Sequence, residues 1–420
     1  MNKIIILIFF LINTLWASIG TNDDLKVLNN LGLESSFISD SELVDIFNEY
    51  SSKKKISYYR SILKKSSLNA QVVRTEIDNE NLPEAIFFIP MIETSFVNHV
   101  RGKSSPAGLW QIMPATAKHL KLRNDEFIDE RLDLIKSTDA ASSYLKRYYK
   151  KFDKWYLSIL SYNSGEGRVI EGLTRASLDM YIENNPNRST QILKSYQRVL
   201  DDYKRSKNGI TKVYGVYSEL QSLEVPFSLE YLIKYNKQRE YLPESTLTYL
   251  KKVVVLSMLS HRDLFEDIKK APYRLEKVKA PKNIQLKSIA SAINMNSSEF
   301  ANINKHIRKQ VLPKDSKNFN IYIPKSKLEI YNEKIANIKP IIDKKVEEVK
   351  KNKVVDVKKN KNEKKIAKDT KKKPLIYTVK KGDSFESIAK AYKTSVKKLK
   401  SDNKKKSNLI DIGDKIEIYK

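Results

Sequence analysis

The sequence predicts a mainly α-helical protein that ends in small β-α-α-β units, and three features carry the prediction. From Asp24 to about Ser260 apolar residues recur at three- and four-residue spacing, which places them on one face of a helix. Beyond Pro272 short strand-like runs enclose paired helical stretches. A Lys-rich, aromatic-free stretch then separates the last such unit from everything before it. At 420 residues there is room for two or three domains, the largest with a proper core.

The N-terminus comes first. Met1-Asn2-Lys3 is a short positive segment, Ile4 to Ala17 is almost continuously apolar, and the small residues Ala17, Ser18 and Gly20 follow. That layout is a secretory signal over residues 1–20, shorter than the ~20 apolar residues of a comfortable membrane span. An uncleaved anchor is the alternative, and either way the remainder is expected outside the cytoplasm. There is no cysteine, so neither disulfides nor a lipidated cysteine are expected.

The helical domain is expected over residues 24–265. Leu43-Ile46-Phe47-Tyr50 and Ala141-Tyr144-Leu145-Tyr148 are representative stripes, with Ser39 or Asp40 and Ser137 or Thr138 as candidate caps. Leu275 to Val278 and Phe319 to Ile323 read as strands around two helices, a module expected over 274–325. Residues 340–373 lack the apolar content to offset chain entropy and read as a disordered linker. Ile376 to Val379 begins a second β-α-α-β unit, 375–420, in which Asp383 and Glu386 form a candidate capping box. Leu286-Lys287-Ser288-Ile289-Ala290 matches Phe385-Glu386-Ser387-Ile388-Ala389, and at the same offset Phe300 falls on Leu399 and Asn304 on Asn403. An ungapped match through both helices reads as a duplicated module, with chance likeness of amphipathic helices as the alternative.

Charge narrows the partners only in part. Lys plus Arg number 78 against 50 Asp plus Glu, a net +28, which favours polyanions such as nucleic acid, anionic lipid or a carboxylate-bearing wall. Solvated lysines on ordinary surfaces account for it equally well. Export and the lack of regular basic/aromatic alternation argue against nucleic acid. Four scattered histidines without paired spacing point to no metal site, and no motif calls for a cofactor.

Chemistry concentrates at Glu93, which closes the apolar run Ala85-Ile86-Phe87-Phe88-Ile89-Pro90-Met91-Ile92. Asn81 and Glu84 are candidate caps, and Pro90, lacking an N–H for the Ile86 carbonyl, is expected to kink the helix one turn before Glu93. A half-buried carboxyl without a cation is what a general acid near neutrality requires; alone, this stretch fits a capping or ion-paired Glu better. Ser104 to Pro114 adds a turn, Gly108, Trp110 and Gln111, and Leu160 to Val169 breaks a helix at glycines beside Tyr162 and Asn163. Aromatic faces, amides and close backbone around one carboxylate make a carbohydrate cleft.

In their order, Glu93-Thr94-Ser95-Phe96, Gly108 to Pro114, Asp129-Glu130-Arg131, Ala140 to Leu145 and Tyr162 to Gly167 resemble the lytic transglycosylases. The motifs span roughly Leu82 to Ile170, and Tyr377 to Asp383 independently resembles a LysM domain. The resemblance implies a lysozyme-like helical domain joined to LysM modules. It implies that Glu93 protonates the glycosidic oxygen between N-acetylmuramic acid and N-acetylglucosamine, then takes a proton from the muramyl 6-hydroxyl as a 1,6-anhydro ring closes. It implies substrate contacts from Thr94, Gly108, Leu109, Gln111, Met113, Tyr144, Tyr162, Asn163 and Tyr249. For the last module it implies glycan binding by Gly382, Asp383, Ser384, Phe385, Asn408, Leu409 and Ile410. The expected partners are peptidoglycan glycan strands in the periplasm or cell envelope, with peripheral association to a membrane or anionic envelope. A hydrolytic muramidase and a non-catalytic wall-binding protein are the competing readings.

Departures from the family pattern are Thr94 for the usual Ser, Ser245 and Leu247 for a Glu and an Arg, and Pro281-Lys282 for Gly-Asp in the first module. The stretch from about Leu173 to Glu240 is longer than the family requires and is expected to add a helical cover.

Overall fold

The computed structural model describes residues 18–99, 105–187, 191–223, 227–262, 271–279, 281–314, 320–338, 374–379, 383–392, 394–403, 405 and 413–418. The expected signal peptide apart from its last three residues, the expected linker, and Gly382, Asn408, Leu409 and Ile410 lie outside them. The chain divides into two compact units, 1–342 and 343–420.

The first unit is mainly helical, as the periodicity predicts. Helices α1 (Asn22–Leu31), α2 (Ser41–Tyr50), α3 (Lys53–Lys65) and α4 (Ser67–Asn79) lead to α5 (Phe88–Thr94) and α6 (Pro114–His119). Then follow α7 (Leu134–Phe152), α8 (Trp155–Ser164) and α9 (Glu166–Asn184). Asp40 caps α2 by accepting from the Leu43 N–H at 2.8 Å. For α7 the expected caps are one turn late: Asp133 caps it, and Ser137 and Thr138 lie buried inside the helix. The Thr138 hydroxyl donates to the Leu134 carbonyl at 2.7 Å and accepts from the Trp110 indole at 2.9 Å, a core contact that no local pattern encodes.

The long stretch after α9 folds as α10 (Gln191–Ser206), α11 (Ile210–Ser222) and α12 (Leu229–Arg239), all three of which pack on α9. The chain then enters α13 (Glu244–Ser260), buried on nearly all sides and packed against α1, α2, α5 and α8. Its Lys251 is 3% exposed and reaches Asp40 at 2.7 Å and Glu42 at 2.8 Å. Leu247, where the family pattern has a cation, is 2% exposed in this core. An apolar side chain there removes a charge that burial would penalise.

The first β-α-α-β module follows: β1 (Leu275–Lys279), α14 (Leu286–Ala292), α15 (Ser297–Ile303) and β2 (Asn320–Pro324), continued by α16 (Leu328–Lys334). The strands are antiparallel, with Val278 opposite Ile321. The sequence separates this module from the helical domain, but the structure joins them. Ile128 of the helical domain sits in the module's core and bridges Ile307. The Asp129 N–H donates to the His306 carbonyl at 2.8 Å, and the Arg308 N–H to the Phe127 carbonyl at 2.8 Å. The Tyr322 hydroxyl donates to Asp133, the α7 cap, at 2.6 Å.

The second unit is described by itself. Strands β3 (Leu375–Thr378) and β4 (Lys415–Ile418) are antiparallel and enclose helices Phe385–Ala391 and Val396–Asp402. The capping box is shifted by one residue. Ser384 and Ser387 form it, because the Asp383 carboxylate instead accepts from the Tyr377 hydroxyl at 2.7 Å. One device recurs in both modules. Asn304 donates to the Tyr322 carbonyl at 2.9 Å and accepts from the Tyr322 N–H at 2.8 Å, and Asn403 does the same with Glu417 at 2.8 and 2.7 Å. The shared clamp supports duplication over chance likeness.

Asp129 ties module to helical domain through charge as well. Fully buried, it accepts from Arg131 Nε and Nη2, both at 2.9 Å, and from Arg308 Nη2 at 2.6 Å. Burial alone would raise its carboxyl, but the hydrogen bonds and charges of the two arginines outweigh that and hold it below its usual value. A lowered folded-state pKa adds stability above the unfolded value near pH ~4, lost as pH falls through the folded one. Asp129→Asn leaves two guanidinium groups without their charge partner and is expected to cost about 3–5 kcal/mol. Urea unfolding checks this: the wild-type advantage is full at pH 7 and narrows below about pH 4.

Candidate active site

Glu93 sits in the last full turn of α5, and its surroundings follow from how that helix starts and stops. The expected kinked helix is absent. A 3₁₀ turn, Glu84–Phe87, runs into α5, so Pro90 lies in the first helical turn, where a missing N–H costs nothing. Neither Asn81 nor Glu84 caps it. Ser95 and Phe96 end the helix with φ of 54° and 56°, their N–H groups returning to the Met91 and Pro90 carbonyls. The abrupt stop leaves Glu93 half-buried at a cavity wall.

The opposite wall is the turn Ala107–Ile112, closed by paired backbone hydrogen bonds between its two ends at 3.2 and 3.0 Å. Gly108 has φ +81°, and a Cβ there would lie 1.8 Å from the Arg131 carbonyl oxygen. Only glycine fits. Arg131, itself fully buried, donates through Nη1 to the Ser105 carbonyl at 2.9 Å and the Ile112 carbonyl at 3.2 Å. The buried Thr94 hydroxyl is shared between the Pro90 carbonyl at 3.1 Å and the Leu109 carbonyl at 3.2 Å, which pins the turn to α5. Gln111 adopts φ 45° and donates its amide to the Gly108 carbonyl at 2.8 Å.

The third wall comes from α7 and α8. Gly165, with φ +89°, breaks α8 from α9. Tyr162 and Asn163 lie in the last turn of α8 rather than beyond it. The Tyr162 hydroxyl donates to the Trp110 carbonyl at 2.6 Å, and its ring meets Trp110 and Tyr144 edge-on at 6.2 and 6.3 Å. The resulting cavity, about 500 Å³, is lined by Glu93, Gln111, Met113, Tyr144, Tyr162 and Asn163 with small neighbours. Among its described lining residues Glu93 is the one carboxylate, and none is Lys or Arg.

Of the residues expected to contact substrate, Gln111, Met113, Tyr144, Tyr162 and Asn163 line this cavity. Thr94, Gly108 and Leu109 do not; they are buried supports whose backbone and hydroxyl groups shape the turn. Tyr249 also leaves the wall. It is 7% exposed on α13, and its hydroxyl donates to Glu93 Oε1 at 3.0 Å. Burial first, and the Glu93 charge second, push the Tyr249 and Tyr162 phenols well above their usual value. Both are therefore neutral donors at any physiological pH. The sequence contained no sign of the Tyr249–Glu93 bond, because its partners are 156 residues apart. In the last module, Asp383 and Ser384 open the first helix and Phe385 is a fully buried core residue, so its side chain offers no surface for glycan.

Two substitutions test this geometry. Gly108→Ala forces a backbone displacement at a strained φ, and a loss of about 1–3 kcal/mol is expected, read as a lower melting temperature. Tyr249→Phe removes one hydrogen bond to a charged group, about 1.5–3 kcal/mol. The melting temperature should fall accordingly, and activity centred on the cavity should drop at least tenfold.

Comparison with known proteins supplies a frame for the cavity. Residues 73–180 match the transglycosylase SLT domain, residues 274–340 the LysM-like domain of the lytic transglycosylase MltD, and residues 377–418 the LysM domain. Membrane-bound lytic murein transglycosylase D of Escherichia coli K12 is 29% identical over 209 residues, 48% of this chain and 42% of that protein. A protein named for tributyltin chloride resistance in Alteromonas sp. is 38% identical over 101 residues, 24% of this chain and 49% of that one. Peptidoglycan transglycosylase gp16 of Escherichia phage T7 is 31% identical over 158 residues, 37% of this chain and 12% of that protein. The matched region thus spans less than half the length of each of these relatives.

Proposed function

We propose that this chain, which joins a transglycosylase SLT domain to LysM-type modules, is a lytic transglycosylase that cuts peptidoglycan glycan strands with Glu93 as its acid and base. The observation that carries the reading is a single carboxylate in a sugar-sized cavity, with a neutral phenol donating to it and amide and aromatic groups around it. Glycosidases that add water across the bond generally use two carboxyl groups. With one, the same group gives a proton to the glycosidic oxygen as the C1–O bond breaks. It then recovers a proton from the muramyl 6-hydroxyl as that oxygen closes on C1. The product is a 1,6-anhydro ring, no water is consumed, and Glu93 ends the cycle protonated as it began.

Lining the cavity, Gln111 and Asn163 would hold acetamido groups, Tyr144 and Tyr162 would face sugar rings, and the half-exposed Met113 would pack under one. The Tyr249 hydroxyl stabilises the carboxylate in the half of the cycle when it is ionised. The apolar N-terminus supports export to the cell envelope, and the similarity to a membrane-bound relative agrees with an envelope location. We assign 1–20 as signal peptide, 24–265 as transglycosylase domain, 274–325 as a degenerate LysM-like module, 340–373 as linker and 375–420 as LysM domain. The LysM module would hold the enzyme on its polymer and raise the local substrate concentration.

Purified peptidoglycan digested by wild type and by Glu93→Gln decides the matter. The variant should lose about 10²–10⁴-fold in rate and keep its melting temperature. Mass spectrometry of wild-type products should show muramyl ends one water lighter than the hydrolytic ones. Reducing-end muramic acid would reassign the enzyme as a hydrolase, and full activity of Glu93→Gln would remove Glu93 from the chemistry.

A further inference from the structure

A second polar cavity, about 460 Å³, opens where the inserted helices meet α9 and the segment before α13. Five cations line it: Arg168 and Arg175 from α9, Lys204 and Lys207 from α10 and the turn after it, and Lys237 from α12. Three carboxylates, Glu171, Glu240 and Glu244, share the wall. The cations are not consumed by these neighbours. Arg175 and Lys207 stand 3.8 and 3.9 Å from Glu171, at the long edge of ion pairing. Arg168 and Lys204 are exposed and have no carboxylate within ion-pair distance among the described residues.

The fold brings these cations together for a packing reason. Gly167 leaves room for the Tyr203 side chain from α10, whose hydroxyl would lie 2.1 Å from a Cβ there. Arg168 and Lys204, the next residue on each helix, line the same cavity. The position of this cavity matters as much as its charge. Gly165 lines the Glu93 cavity, and the Arg168 N–H donates to the Gly165 carbonyl at 3.2 Å. The two cavities thus take lining residues three positions apart, Gly165 and Arg168, at the start of α9.

We propose that this basic cavity is a subsite for the stem peptide carried by the glycan strand, binding its carboxylates through Arg168, Lys204 and Lys207. The inference rests on the glycan-cleaving reading of the Glu93 cavity. A strand held there carries its peptides on the muramyl residues, and α9 begins at the one cavity and lines the other. The mixed lining selects among anions. Cations in excess take carboxylates, while Glu171, Glu240 and Glu244 accept an ammonium group and repel a uniform polyanion. A stem peptide has both groups; a phosphate polymer has only one.

The experiment compares strands bearing peptides with the same strands stripped by an amidase, using wild type and the double variant Arg168→Gln/Lys204→Gln. Wild type should show the higher kcat/KM on peptide-bearing strands, and in the variant the ratio of the two values should fall at least fivefold, through KM. An unchanged ratio, or no wild-type preference, overturns the proposal. Calorimetric titration with the free stem peptide decides independently of catalysis, including the case in which wild type cuts neither substrate and the glycan-cleaving reading fails alone. At least tenfold weaker binding to the variant supports the subsite, and equal or absent binding overturns it. Inorganic phosphate displacing the peptide at equal concentration would reassign the site to phosphate and overturn the peptide assignment.

Discussion

The cleft depends on one buried ion pair, Asp129 with Arg131. Neither side chain meets solvent. A buried pair stabilises a fold only when its remaining donors and acceptors are also satisfied. Here the guanidinium meets that condition with backbone carbonyls of the cleft wall, Ser105 and Ile112, and the carboxylate meets it with Arg308 of the neighbouring module. Loop, pair and module are thus conditions of one another. The Arg131 carbonyl also sits where a Cβ of residue 108 would be, so the same residue that holds the turn also demands its glycine.

The helices were legible because apolar periodicity reports burial directly, and burial drives most helix formation in proteins. Caps were less so. Asp40 is readable, but at α7 the cap is Asp133, while Ser137 and Thr138 are buried in the helix and the Thr138 hydroxyl serves an indole and a carbonyl in the core. Pro90 misled for a related reason: its effect depends on where the helix begins, and a 3₁₀ turn moved that beginning to Phe88. In the site, Gln111, Tyr162 and Asn163 were legible because each stands beside a glycine that breaks regular structure. Tyr249 and Arg308 act across long sequence separations, and nothing local marks such a pairing.

The Tyr249 phenol, kept neutral by burial and by the Glu93 charge, donates one hydrogen bond to the Glu93 carboxylate and adds no charge of its own. Tyr249 supplies that bond from α13, a helix whose own polar contacts at Lys251 anchor it to α2. Glu93 is therefore supported from a largely buried helix.

The two modules share a core device and differ in what surrounds it. In each, an asparagine at the end of the second helix clamps the closing strand by the same pair of hydrogen bonds. In the first, the segment just beyond that asparagine, Lys305 to Arg308, is spent on the helical domain: Lys305 reaches the Asn98 carbonyl, His306 receives the Asp129 N–H, Ile307 bridges Ile128, and Arg308 holds Asp129. These contacts tie the first module to the cleft, through a carboxylate that Arg308 shares with Arg131.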